Sequence, residues 1–129
     1  MKKLIIIIGI IALSFSVRSQ TIQNVSFSRI DTIVGVTYGT TQYQSINVNK
    51  DSLKPEFTSF ETMCKSLSTY SDYTRVVIQN TDKESGDMGL RILVIKDNQD
   101  TKFLNYNSLS STNKNTYNNF IIKCKTFIK

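Results

Sequence analysis

After an apolar leader, the chain changes from one hydrophobic period to another several times. Val25 and Phe27 alternate with Ser26 and Ser28, which predicts a strand within Thr21 to Ile30. Asp31-Thr32 reads as a bulge or a tight connection. Val34, Val36 and Tyr38 then share one side of a second strand, Ile33 to Tyr38. Gly39-Thr40-Thr41 is a turn, and Ile46 and Val48 share a face of a third strand, Gln42 to Asn49. These connections are too short for crossovers, so the three strands form an antiparallel meander.

Asp51 to Lys54 breaks the alternation, and Phe57, Phe60, Met63, Cys64 and Leu67 follow at the helical period. Pro55 suits the first turn of this helix, while Thr58-Ser59-Phe60-Glu61 fits a capping box and allows a later start. Alternation returns in Tyr73 to Asn80. Met88 to Lys96 is the most apolar segment after the leader, with Leu90, Ile92 and Val94 opposing Arg91, Leu93 and Ile95, and predicts a central strand covered on much of both faces. Thr101 to Tyr106 is a last short strand. Tyr117, Phe120, Ile121, Cys124 and Ile128 lie along one helical stripe, with Ser110 or Ser111 available as its cap. The order βββ-α-βββ-α predicts an α+β domain: an antiparallel sheet of about five to six strands with two helices on one face.

The leader, Met1 to Ser19, has the parts of a secretory signal. Lys2 and Lys3 precede an apolar run from Leu4 to Leu13, and Val17-Arg18-Ser19 offers a cut before Gln20. The run is shorter than the roughly 20 residues that span a bilayer, and no cysteine lies in the first twenty positions for lipid attachment. The expected organisation is a signal peptide, 1–19, and one domain, 20–129, that is periplasmic or secreted. Membrane contact is expected only where the leader stays uncleaved. Lys2, Lys3 and Arg18 leave with it, so the net charge of +6 falls to +3, an ordinary value that does not call for nucleic acid or an anionic membrane.

Cys64 and Cys124 both lie on apolar helix faces. In an oxidising compartment such a pair is expected to form a structural disulfide, with two buried free thiols as the alternative. Redox chemistry is disfavoured because no Cys-x-x-Cys pair exists. With no histidine in the chain, neither a Ser-His-Asp nor a Cys-His site can be assembled, and a closed zinc site lacks its usual ligands. Asp82, Glu84 and Asp87 loosely resemble a calcium loop, but Gly86 and Leu93 occupy positions where oxygen ligands belong; a solvated hairpin loop is the simpler reading. Asp97 and Asp100 suit a turn. No cofactor is implied.

Lys114, Lys123, Lys125 and Lys129 make a candidate basic docking face, or more simply a wet helix side that opposes the negative helix end. Tyr70, Tyr73, Tyr106 and Tyr117 are candidate exposed aromatics. The expected function is a small exported non-enzymatic domain that binds an unknown protein or envelope component. A carboxylate-based, calcium-assisted hydrolase and a membrane-tethered accessory protein are the alternatives.

Overall fold

The structure, a computed structural model, describes residues 21–80 and 90–128. It is an α+β fold, with one antiparallel six-stranded sheet and two helices in the order βββ-α-βββ-α. The strands are β1 (Ile22–Ser28), β2 (Ile33–Tyr38), β3 (Gln44–Asn49), β4 (Arg75–Gln79), β5 (Arg91–Ile95) and β6 (Thr101–Asn105). The sheet order is β3-β2-β1-β4-β5-β6. Helix α1 (Glu56–Ser68) lies between β3 and β4, and α2 (Ser111–Lys125) follows β6.

Strand registers divide the sheet into a covered and an open face. Val48, Val34, Phe27, Val76, Val94 and Lys102 form one row on the helix side, and Ile46, Val36, Val25, Ile78, Ile92 and Leu104 form the next. A bulge in β1 pairs Ile22 with Tyr38 and Asn24 with Thr37, which turns both Ile22 and Val25 to the helix side despite their spacing of three. The core between sheet and helices is aromatic. Phe27 meets Phe57, Phe60, Tyr73 and Phe120 edge-on, and Phe60 stacks on Phe120 at 4.6 Å across the two helices. Such contacts add directional preference to ordinary apolar burial.

The middle row of the open face runs Asn47, Gly35, Ser26, Val77, Leu93 and Phe103. The expectation that β5 is central and covered on both faces is therefore corrected. It lies next to the edge strand β6. Leu93 and Ile95 remain half-buried while Ile92 and Val94 are in the core.

Three local expectations also change. Helix α1 starts at Glu56, with Pro55 as its cap residue after a cis Lys54–Pro55 bond, and Thr58 lies inside the helix, so the capping box is not used. Leu67 is exposed and Ser68 is buried in its place; the Ser68 hydroxyl donates to Cys64 O at 2.6 Å before Thr69 turns left-handed. Tyr73 and Tyr117 are core residues and Tyr70 and Tyr106 are half-buried: Tyr117 lies on the apolar stripe of α2, while Tyr73 and Tyr106 reach the aromatic cluster from just outside β4 and β6. The Ser110 cap forms as expected, its Oγ accepting from Asn113 N.

Candidate functional site

At the end of the sheet where β1 and β3 finish, a cleft of about 400 Å³ opens beside α1. It is lined by Arg29, Thr32, Asn49, Lys50, Asp51, Lys54, Phe57, Thr58 and Glu61. A single 3₁₀ turn, Lys50–Leu53, shapes its floor: Asn49 Oδ1 accepts from Asp51 N at 2.8 Å, and Leu53 is buried in the core. The turn fixes Lys50 where β3 meets α1.

The Lys50 ammonium is held from three directions. It donates to Ser28 O at 2.6 Å and lies 5.1 Å from the Phe57 ring centroid and 5.7 Å from that of Phe27. Desolvation lowers its pKa, with Glu61 and Asp31 pulling the other way. Across the cleft, Glu61 accepts a hydrogen bond from the Tyr73 hydroxyl, and Arg29 Nε donates to Tyr73 O at 3.2 Å. Burial pushes the Tyr73 pKa well up, and its hydrogen bond to Glu61 and that carboxylate's charge push the same way. Lys54 pairs with Asp51 at 3.2 Å. The cleft is thus an ordered set of charges around a polar opening, with three cations and two carboxylates in its lining and Asp31 close enough to act on Lys50.

A smaller cleft, about 210 Å³, lies between the helices and is lined by Pro55, Glu56, Ser59, Thr116 and Asn119. Glu56 Oε1 is shielded there and accepts no hydrogen bond from the described residues. Its position in the first turn of α1 sets the carboxylate at the positive helix end.

The expected Cys64–Cys124 bridge is not made: both residues are buried free thiols. The geometry explains why. α1 leaves the β3 edge and reaches over β5 and β6, whereas α2 leaves the β6 edge and reaches the Lys50–Leu53 turn, so the helices run in opposite senses. Phe60 and Phe120 are level. Cys64 and Cys124 each lie about one turn beyond their stacked ring, so with the helices running in opposite senses the two thiols fall on opposite sides of the stack. A disulfide tolerates roughly 7 Å between Cα atoms. Burial raises both thiol pKa values, that of Cys124 to about 12, and Glu61 adds to the rise at Cys64.

Asp82, Glu84, Asp87 and Lys129 lie outside the described residues, as does the leader. Among the described residues no group of three His, Cys, Asp or Glu is placed to hold a metal ion, and no helix is long and apolar enough to cross a membrane. Asp97 Oδ1 accepts from Gln99 N and Asp100 N and so closes its own turn. On α2, Lys114 and Lys125 lie within about 20° of each other around the axis and Lys123 is about 180° from Lys114; Lys114 Nζ sits 5.4 Å from the Tyr106 centroid. The cleft itself was missed in the sequence because Arg29, Lys50 and Glu61 follow no common spacing. No protein-family model, curated protein or solved structure matches the chain, so any functional reading rests on this geometry.

Proposed function

We propose that the chain works as an exported, non-enzymatic binding domain, and that the cleft beside Lys50 holds a small carboxylate-bearing ligand. The Lys50 ammonium carries this reading. Among the lining residues Arg29, Lys50 and Lys54 face Asp51 and Glu61, and Asp31 also acts on Lys50 from beside the cleft. Lys50 Nζ uses one hydrogen on Ser28 O and keeps two to offer. A carboxylate there would also offset the desolvation that lowers the lysine pKa.

Catalysis is disfavoured by the groups themselves. The chain has no histidine, and Cys64, Cys124 and Tyr73 are all held towards their protonated forms. The leader's lysine pair and apolar run support export; an intact mass from the native envelope fraction that begins near Gln20 is the expected result.

The ligand reading is tested by nuclear magnetic resonance titration with acetate, succinate and inorganic phosphate. Saturable shifts at Arg29, Thr32, Lys50 and Thr58 with the carboxylates are expected, and they should disappear in Arg29→Gln/Lys50→Gln. Shifts that do not saturate, or that persist in the double variant, would remove the cleft from consideration.

A further inference from the structure

The sheet face opposite the helices carries a second, independent surface. Its registers place Val77, Leu93 and Phe103 side by side in one row across β4, β5 and β6. Arg75 stands one row to one side, level with Ile95, and Arg91 stands one row to the other. Both arginines are exposed, Val77, Leu93 and Ile95 are only half-buried, and Phe103 is 60% exposed. Across the three open-face rows of all six strands there is no carboxylate.

Two facts make this more than an exposed patch. Beyond Arg91, the open side of β5 presents Leu93 and Ile95, as apolar as Ile92 and Val94 on its covered side, a pairing typical of strands covered on both faces. No described residue covers that second side. The charge is also one-sided among the described strand residues: the ionic groups in the open-face rows are arginines, and they bracket the apolar row. An acidic occupant complements this arrangement. A second copy would bring the same arginines together, and the leader carries only Lys2, Lys3 and Arg18, the same sign again.

We propose that the open face of β4, β5 and β6 docks an extended acidic polypeptide segment whose apolar side chains lie on the Val77–Leu93–Phe103 row. The geometry specifies the spacing. Arg75 and the Arg91 row are four residues apart along β4, about 14 Å at the strand rise. An extended segment with acids at positions i and i+4 and an apolar side chain at i+2 places all three on one side and meets both arginines and the row between them.

The test is fluorescence anisotropy with a short labelled peptide repeating Glu-Ser-Leu-Ser, compared with Lys-Ser-Leu-Ser. Saturable binding of the acidic peptide is expected, weakening as salt is added. Arg75→Glu/Arg91→Glu should weaken it by about tenfold or more. Leu93→Ser should weaken it to a similar extent at every salt concentration. Unfolding curves of both variants establish that the fold is kept, and backbone amide shifts in the wild type should be confined to β4, β5 and β6. Equal binding of the lysine peptide, unchanged affinity in the folded double arginine variant, or shifts centred elsewhere would overturn the proposal. So would tighter binding of an oligonucleotide or of anionic vesicles to the same face. The cleft beside Lys50 lies on the helix side, so failure of either reading leaves the other standing.

Discussion

Replacing the two cysteines one at a time and together separates a bonded pair from two free thiols by the way the losses combine. A Cys64–Cys124 bridge would close a loop of 60 residues, worth about 4 kcal/mol through the unfolded chain. Either single alanine variant would then lose that amount, and the second substitution would add little, leaving a coupling of about 4 kcal/mol. The structure predicts another pattern. Cys64 and Cys124 are each fully buried, so each truncation removes one well-packed sulfur and costs about 1–2 kcal/mol. The sites fall on opposite sides of the Phe60–Phe120 stack, so the two losses should add within about 0.5 kcal/mol. Urea unfolding of wild type, Cys64→Ala, Cys124→Ala and the double variant, with and without reductant, gives the numbers directly. A coupling near 4 kcal/mol, or a wild-type protein that loses stability on reduction, would refute the helix arrangement described above. Export to an oxidising compartment does not alter the expectation. A thiol whose pKa burial raises to about 12, as at Cys124, exposes little thiolate until the domain opens.

Phe60→Ala should cost about 3–5 kcal/mol, since it empties the place between the helices where Phe60 stacks on Phe120; a loss under about 1 kcal/mol in urea unfolding would contradict the packing. Gly39→Ala should cost at least about 2 kcal/mol, because Gly39 has φ +131° and an added Cβ would lie 2.1 Å from Gln42 O. Gly35→Ala, whose Cβ would find ordinary contacts at 3.7 Å, should be close to neutral. Stability should fall at alkaline pH. The folded state raises the pKa of Cys64, Cys124 and Tyr73, so the stability they contribute is full below their unfolded values, 9.0 for the thiols and 10.0 for the tyrosine, and is lost as pH rises from there through the raised folded values. Lys50 acts in the opposite sense, its pKa being lowered. Tyr73→Phe should therefore flatten the alkaline limb of a Tm-against-pH curve, and an unchanged limb would show that Tyr73 is not the buried donor to Glu61.

Local periods made the elements legible. Val34, Val36 and Tyr38 had to share a side of β2, and Phe57, Phe60 and Phe120 had to sit on apolar helix stripes, because alternation and the helical repeat act over a few residues. Non-local pairing was not legible in this way. That β1 pairs with β4, placing β3 and β6 at opposite edges, follows from chain closure around the aromatic core rather than from any one segment. The cysteines show the consequence. Their positions on buried stripes were readable, but their separation depends on the edges from which α1 and α2 start. Leu53 entered the core from a segment with no period to reveal it, and Tyr73, two residues before β4, is buried although alternation groups it with the exposed Arg75. The cleft was hidden for a similar reason, since Arg29, Lys50 and Glu61 meet only when β1, β3 and α1 are assembled. β5 was the reverse case. Its two-sided hydrophobicity was plain in the sequence, and the position it takes beside an edge strand leaves one of those sides without cover from any described residue. Leu93 and Ile95 are therefore more apolar than their place in the sheet requires, and a partner that covers them is the simplest physical account of why they are there.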